Sequence, residues 1–190
     1  MGQLLDLVGS MIIGSLVFLM IFKINGQMSS SSYENNEYTQ TQKSSVFLHQ
    51  IMLDDFMKIG YRAKTDPIST AQQNQIKFKY DINNDSTKDS VYYYIGATSD
   101  LASTPNPNDF FLYRKVNNAT SQVTAVVTNF TLTYLDSTGT AIAYSNLTTQ
   151  SQRNKIKSIS VYYKMQNSFS MGSTFNEIEW RKTFRPKNIN

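Results

Sequence analysis

The residue types that usually carry catalysis are scarce in this sequence of 190 residues. It contains no Cys and a single His, His49. The absence of Cys excludes disulfides, zinc–thiolate sites and thiol catalysis, and one His leaves little basis for a His-based metal site or a Ser-His-Asp triad. The sequence also lacks a nucleophile elbow and a pair of carboxylates at catalytic spacing. We therefore predict that the protein is not an enzyme, and an envelope hydrolase is the least supported function.

One short stretch has the oxygen ligands of a calcium loop. Asp81, Asn83, Asp85 and Asp89 fall at the positions that such a loop uses first, third, fifth and ninth. The stretch lacks the Gly and the Glu that complete the loop motif. A plain hairpin turn is the favoured interpretation, with a calcium site as the weaker hypothesis, and no other cofactor or metal is expected.

Asp6 is the only charged residue before Lys23 and lies inside an apolar stretch. A carboxylate within hydrocarbon costs several kcal/mol unless it is paired or protonated. Two interpretations remain open. In the first, Asp6 lies at the interfacial end of the segment and reaches water. In the second, it pairs with an α-amino group, its own or that of a neighbouring copy, so that apolar helices pack side by side in register.

The element that positions Asp6 is an apolar helix, the first of three predicted segments, over residues 1–24. About 20 helical residues, rising about 1.5 Å each, cross the ~30 Å hydrocarbon core of a bilayer. The stretch is apolar all round, which is not the pattern of a helix lying on a soluble domain. We predict a transmembrane helix that also forms a filament core. Its predicted core residues are Leu4, Leu5, Leu7, Val8, Ile12, Ile13, Leu16, Val17, Phe18, Leu19, Ile21 and Phe22.

The second predicted segment, residues 25–62, is a polar stalk followed by an amphipathic helix. Ser, Asn and Gln dominate its first part, which favours a helix with a soft region near Asn25–Ser32. Apolar residues at helical spacing return from Val46 to Tyr61, where Gly60 can close the helix. Asp55 falls within this apolar stripe, and a buried carboxylate needs hydrogen-bond donors or a cation. The stripe that we expect to pack on a sheet is Leu48, Met52, Asp55, Phe56 and Ile59.

The third predicted segment, residues 63–190, changes from helical to alternating periodicity. Ile76, Phe78 and Tyr80 alternate with polar residues, as a half-buried strand requires. We predict a globular domain with one antiparallel sheet built from consecutive hairpins, packed on the amphipathic helix, in the α+β class. The predicted strands are Ile76–Ile82, Val91–Ile95, Phe110–Val116, Val123–Leu135, Ile156–Met165 and Glu177–Phe184.

The net charge of +4 is unevenly distributed. From Arg153 onward there are eight Lys or Arg residues against Glu177 and Glu179 alone. A basic surface can attract nucleic acid, anionic lipid or an acidic partner. We favour a solvated strand face rich in Lys and Arg, and nucleic acid is not an expected partner.

Several motifs in a fixed order carry a family resemblance. The string DFMKIGY at residues 55–61 is similar to the Asp-apolar-Arg-x-Ala-Gly-Tyr ending of the first helix in type IV pilin-like proteins, although its basic residue is Lys58 instead of an Arg and Ile59 stands in place of the Ala. More narrowly, the chain resembles minor pilins and type II secretion minor pseudopilins of the J/W type. The strand motifs IKFKYD (76–81), FLYR (111–114), VVTNFTLTYL (126–135) and IKSISVYY (156–163), and the basic tail at Arg185–Asn188, complete the resemblance.

The resemblance implies a structural subunit of an extracellular pilus-like or pseudopilus filament. Such subunits wait in the inner membrane with the globular domain outside the cytoplasm. The pilus assembly machinery then extracts them into a fibre with copies of themselves or other pilin-like subunits. The family has a Glu at the fifth residue of the mature chain that pairs with a neighbour's N-terminal amine; Asp6 takes that place if the mature chain begins at Gly2. The alternative is a single-pass, membrane-anchored extracytoplasmic binding domain that does not polymerise.

Overall fold

One long helix runs through the first third of the chain. In the computed structural model, which describes residues 2–63, 65–168 and 175–189, helix α1 spans Gly2–Met57 without interruption. Its 56 residues give a rod about 84 Å long at about 1.5 Å per residue. The predicted soft region near Asn25–Ser32 is helical too. The serines there cost only tenths of a kcal/mol each in helix propensity, and no Pro breaks the stretch.

Helix α1 ends at Met57, four residues before the predicted end at Tyr61. Gly60 takes a left-handed conformation with φ of 81°, and its backbone N–H donates to the carbonyl of Lys79 at 2.9 Å. A Cβ added to Gly60 would lie 2.6 Å from the backbone oxygen of Asn188. Glycine is therefore required here both for its positive φ and for the close approach of the C-terminal segment.

Within the described residues, eight strands form two antiparallel sheets, so the class is α+β as predicted, with two sheets in place of the single predicted one. The first sheet has five strands in sequence order and the second has three, also in sequence order. The strands of the first sheet are β1 (Ile68–Ala71), β2 (Gln75–Tyr80), β3 (Asp89–Ile95), β4 (Phe110–Val116) and β5 (Gln122–Val127). Those of the second are β6 (Asn129–Leu135), β7 (Ser158–Gln166) and β8 (Glu177–Phe184).

The prediction of one long strand over Val123–Leu135 is wrong. Strand β5 pairs with β4, whereas β6 pairs with β7, and Thr128 marks the crossing from one sheet to the other. The backbone N–H of Thr128 donates to the carbonyl of Lys164 at 2.8 Å, which joins the sheets at this point. Val127, which the single-strand prediction placed on the polar face, is fully buried.

Three short elements and strand β1 were not predicted. They are the 3-10 turns Thr98–Leu101 and Tyr144–Asn146 and the single-turn helix α2 (Gln150–Arg153). Helix α2 covers β1, because the Gln150 amide and the Arg153 guanidinium both donate to the carbonyl of Ile68, at 3.1 and 3.2 Å. These side chains thereby satisfy a backbone acceptor of an edge strand that would otherwise be unpaired.

The second half of α1 packs over both sheets. The Phe56 ring lies 5.4 Å from the Phe78 ring and 5.8 Å from the Tyr93 ring, both on the five-stranded sheet. It also lies 5.1 Å from the Phe184 ring on the three-stranded sheet. Such ring contacts add to the stabilisation from burial. Leu48, Met52, Phe56 and Ile59 are fully buried, and Ile59 lies just beyond the end of the helix.

Candidate functional site

The first half of α1 contacts nothing else in the described part of the molecule. All its large apolar side chains from Leu4 to Met28 are exposed, by 47% to 72%. Soluble proteins rarely leave such a continuous apolar surface in water, so this segment must be covered by lipid or by protein. It includes every predicted filament-core residue from Leu4 to Phe22.

The backbone and hydroxyl groups of this segment are suited to an apolar surrounding. The helix pairs its own backbone groups, as a membrane requires. The Ser10 hydroxyl donates to the carbonyl of Leu7 at 2.9 Å, and the Ser15 hydroxyl donates to that of Ile12 at 2.8 Å. Helix α1 is the one helix within the described residues that is long and apolar enough to cross a membrane.

Asp6 is the exception within the segment. Among the residues that the structure describes, no cation lies within ion-pair distance of its carboxylate. The residue lies just beyond the first turn of the helix, and that first turn contains no acidic residue. The structure therefore leaves both interpretations of Asp6 open, contact with water and contact with an amine outside this copy's described residues.

The middle of α1 contacts the β-domain at Glu34 and again at Ser45. Glu34 accepts a hydrogen bond from the Asn176 amide at 3.2 Å, just before β8. Farther along, the Tyr163 hydroxyl on β7 donates to the Ser45 carbonyl at 3.0 Å. The unpacked apolar half is thus a direct continuation of a helix that is held by the globular domain.

A buried carboxylate holds the second half of α1 to the five-stranded sheet. Asp55 is 2% exposed and accepts two hydrogen bonds from Arg114 on β4, from Nε at 2.7 Å and from Nη2 at 2.9 Å. The Tyr80 hydroxyl on β2 and the Tyr93 hydroxyl on β3 each donate to one Asp55 oxygen at 2.5 Å. Four donors thus satisfy a buried charge, and one side chain links the helix to three strands.

The ionisation of this cluster follows from its geometry. Hydrogen bonds to the Asp55 carboxylate raise the pKa of Arg114 above its usual range, so the guanidinium stays charged. Burial is the main cause that raises the pKa of both Tyr80 and Tyr93, with the Asp55 charge as the second. The cluster is therefore an ion pair with two neutral phenols at any pH near neutrality, a positioning device rather than an acid–base pair.

A groove of about 510 Å³ lies beside this cluster, between α1 and the edge strand β5. Arg114 and Asp55 form its floor. Phe47 and Val123 line it and remain exposed at 61% and 49%. Gln50, Ile51, Asp54, Gln122 and Thr124 complete its lining.

The weak calcium candidate is a turn that is closed by its own hydrogen bonds. Asp81 Oδ2 accepts from Arg62 at 3.2 Å and from the Ser86 backbone at 3.0 Å. Asp89 Oδ2 accepts from the Ile82 backbone at 3.0 Å. Within the described ranges, no group of three or more His, Asp or Glu side chains is placed to hold a metal ion. These oxygens are used within the fold, as in a hairpin loop, whereas the buried Asp81 Oδ1 has no hydrogen-bond partner among the described residues.

Arg114, Tyr80 and Tyr93 were not singled out as partners of Asp55 from the sequence. The pairing register of the strands is the feature that identifies Arg114 as a partner. Tyr93 pairs directly with Arg114 across β3 and β4, so the two side chains share a face. Because Tyr93 lies on the apolar face that meets the helix, Arg114 lies there too.

Comparison with known proteins assigns no family. No protein-family model, no curated protein and no solved structure matches this chain.

Proposed function

We propose that this protein is a structural subunit of a type IV pilus-like or pseudopilus filament, assembled through the apolar half of α1. The observation that carries the proposal is the run of exposed apolar side chains from Leu4 to Met28 on a helix whose second half is locked to an α+β domain. Burying each such side chain stabilises an assembly by about 1.5–3 kcal/mol. A bundle of helices would bury these apolar side chains once the segment leaves lipid.

The proposed subunit occupies two locations, one before assembly and one after it. Before assembly, α1 crosses the inner membrane and the globular domain lies outside the cytoplasm. Afterwards, copies of the same helix, or of other pilin-like subunits, cover the apolar surface in an extracellular filament. The resemblance of residues 55–61 and of the strand motifs to minor pilins and J/W-type pseudopilins supports this order of events.

In this proposal Asp6 fixes the axial register between subunits. Its carboxylate pairs with the N-terminal amine of a neighbour, which neutralises two charges inside an apolar bundle. A subunit displaced along the axis would leave the carboxylate unpaired at a cost of several kcal/mol. Register is thereby selected against the slippage that a uniform apolar surface would permit.

The test is the substitution Asp6→Ala in the full chain. We expect a folded, membrane-inserted monomer that forms no fibres, measured as fibre yield by electron microscopy of shed surface material. Ser10→Ala is the matched control, since Ser10 lies one turn away and its hydroxyl bonds only within the helix. Normal fibre yield from Asp6→Ala would remove the register role.

The second candidate is a membrane-anchored extracytoplasmic domain that binds a partner without polymerising. The groove between α1 and β5 favours it, because the groove combines apolar walls with a charged floor. This candidate makes Asp6 dispensable. Full-length chains that bind a soluble partner and never associate with one another would favour it over the filament.

A further inference from the structure

A second groove lies on the side of the globular domain that faces away from α1. Tyr163 on β7 donates to Ser45 of the helix, so its alternate neighbours Tyr162 and Lys164 point to the opposite face of the sheet. A groove of about 460 Å³ opens on that face, where the two sheets meet at Thr128. We call it the junction groove, and the side chains that it offers to a ligand are Thr98, Asn108, Phe110, Asn129, Tyr162 and Gln166.

The lining of the junction groove combines side-chain amides with aromatic rings, and no aliphatic residue is among the described residues that line it. The amides belong to Asn108, Asn129 and Gln166, and the rings to Phe110 and Tyr162. An amide carries both a donor and an acceptor, which matches a sugar hydroxyl, because that group also donates and accepts. The C–H face of a pyranose ring is apolar and packs on an aromatic ring. The lining therefore suits a sugar better than an aliphatic ligand.

A buried side chain holds the junction groove in shape. Asn106 is 0% exposed, and its amide nitrogen donates to Gln166 Oε1 on β7 at 3.0 Å. Asn106 Oδ1 accepts from the backbone N–H of Asn108 at 3.1 Å. The loop between β3 and β4 is thereby tied to the three-stranded sheet, with Asn108 and Gln166 in fixed positions. Polar groups that are already in position reduce the entropy cost of binding a ligand.

Two of the amides have hydrogen-bonding groups to spare. Asn129 Oδ1 accepts from the Thr131 hydroxyl at 2.9 Å, which orients the amide and leaves its N–H groups unused within the described part of the chain. The Asn108 side chain makes no hydrogen bond to another described residue. Both residues are exposed, so water covers these groups. Hydroxyls of a ligand can replace that water and reproduce its hydrogen bonds.

The junction groove has no excess of positive charge. Lys164 pairs with Glu177 at 3.0 Å and with Glu179 at 2.8 Å. Arg181 follows on the same strand, with its side chain on the same face, so the two cations stand beside two carboxylates. Asp109, next to the lining in sequence, is 1% exposed. A phosphate, a nucleic acid or an acidic peptide therefore gains nothing from this surface, and the ligand that fits is neutral.

Strand pairing argues against an extended peptide as the ligand. The wall of the groove that carries Tyr162 and Gln166 is β7, which pairs with β6 on one side and with β8 on the other. Its backbone therefore has no free edge to which a peptide could add as a further strand.

We propose that the junction groove binds a neutral saccharide. The rings of Phe110 and Tyr162 pack against a sugar ring, and the amides of Asn108 and Asn129 bond to its hydroxyls. The inference goes beyond the filament. The groove faces away from α1, so it stays accessible both in a single membrane-anchored copy and in a bundle of helices.

The test is saturation-transfer NMR, observed on the ligand, with the full-length chain in a detergent that has no sugar headgroup. The probes are maltotriose, cellotriose and tri-N-acetylchitotriose, each at millimolar concentration. We expect saturation of ring C–H protons in at least one probe. Tyr162→Ala should weaken that binding about tenfold, which corresponds to ~1.4 kcal/mol, and Asn129→Ala should weaken it severalfold.

Tyr113→Ala is the matched control, because Tyr113 is also a partly exposed strand tyrosine but lies on the five-stranded sheet, outside the groove. It should bind like the wild type. The thermal midpoint of each variant checks that the domain is folded, and Asn129→Ala, at an exposed position, tests the site without removing a ring.

Two kinds of result would overturn the inference. The first is no saturation of any probe, or equal binding by the wild type, Tyr162→Ala and Asn129→Ala. The second is binding of sulfated maltotriose tenfold or more tighter than maltotriose, because that preference would identify an anion site. The measurement uses detergent-solubilised monomers, so its outcome is independent of whether the chain forms fibres.

Discussion

Asp55 shows how a single side chain can fix a helix on a sheet. Its carboxylate lies on the apolar stripe of α1 and receives donors from β2, β3 and β4. A buried ion pair of this kind is weak as a source of net stability but costly to break on one side. Its value is positional, because the four hydrogen bonds are satisfied in only one rotation and height of the helix.

Substitution of Asp55 by Asn should destabilise the domain by about 3–5 kcal/mol, because the Arg114 charge then lies partly buried without a counter-charge. The neighbouring substitution Asp54→Asn is the matched control. Asp54 is 61% exposed in its pair with Lys58, so its loss should cost no more than about 0.5 kcal/mol. Denaturant unfolding of both full-length variants in detergent measures the difference. Equal midpoints for the two variants would contradict the positional role of Asp55.

Asp109 is a second buried carboxyl group, but unlike Asp55 it has no cation paired with it among the described residues. It is 1% exposed, and among the described residues neither of its oxygens has a hydrogen bond of good geometry; the Thr104 side chain nearby opposes the effect of burial only in part. Burial raises the pKa of Asp109 to about 6. The folded state therefore holds the Asp109 proton more tightly than the unfolded state does.

The pH dependence of stability follows from the direction of this pKa shift. The contribution of Asp109 is fully present below about pH 4, the unfolded pKa, and is lost as the pH rises through about 6. The loss is at most about 3 kcal/mol at about 1.36 kcal/mol per pKa unit. Unfolding free energies of the wild type and of Asp109→Asn, measured from pH 4 to pH 7, should therefore converge near pH 4, separate in favour of the variant as the pH rises to about 6, and stay apart above it. Parallel curves would contradict this account.

At the residue scale, the sequence predicts which positions are buried better than it predicts their partners. Helical spacing placed Asp55 among Met52 and Phe56, where the structure has it. Arg114 lies 59 residues away, and local periodicity carries no information about contacts at that separation. Asp109 carried no sequence signal of burial, since it follows a Pro- and Asn-rich loop that reads as exposed.

At the element scale, α1 joins two environments in one continuous rod. Its first half exposes apolar side chains on all sides, whereas its second half has one buried stripe and a few exposed apolar side chains, at Val46, Phe47, Leu53 and Met57. The segment between them is polar and exposes Ser29, Ser31 and Ser32. Helix propensity alone would make this stretch only marginally stable as a helix. Its helical order therefore depends on the helices that flank it and on what those helices pack against.

Proteolysis of this segment should depend on assembly. In detergent-solubilised monomers, a broad-specificity protease should cut near Ser29–Ser32, where few tertiary contacts oppose local opening. In fibres the same stretch should be protected by neighbouring helices, while the exposed turn at residues 136–140 is cut equally in both forms. Cleavage near Ser29–Ser32 at the same rate in both forms would instead indicate a flexible tether.

The strands show what alternation can and cannot predict. Buried positions fall on odd residues in β5, at Ala125 and Val127, and on even residues in β6, at Phe130 and Leu132. This change of parity marks the crossing at Thr128 and is visible in the sequence. The prediction of one continuous strand did not take this change of parity into account, so it gave one sheet where the structure has two. The pairing of sheets itself depends on tertiary packing, which no local pattern specifies.

As a whole, the molecule is a globular domain that carries an uncovered apolar helix. The second half of α1 fills the core of the domain with Phe56 and its neighbours. The first half pairs its own backbone groups but leaves its apolar side chains exposed. A bilayer and a bundle of copies of the same helix are two surroundings that would cover it. We propose that the helix bundle replaces the bilayer.

The most direct measurement is to remove detergent from purified full-length chains and follow their state by electron microscopy and sedimentation. The account predicts fibres of uniform width for the wild type, and soluble monomers or irregular aggregates for Asp6→Ala. Wild-type chains that remain single without detergent, or that form only irregular aggregates, would contradict it.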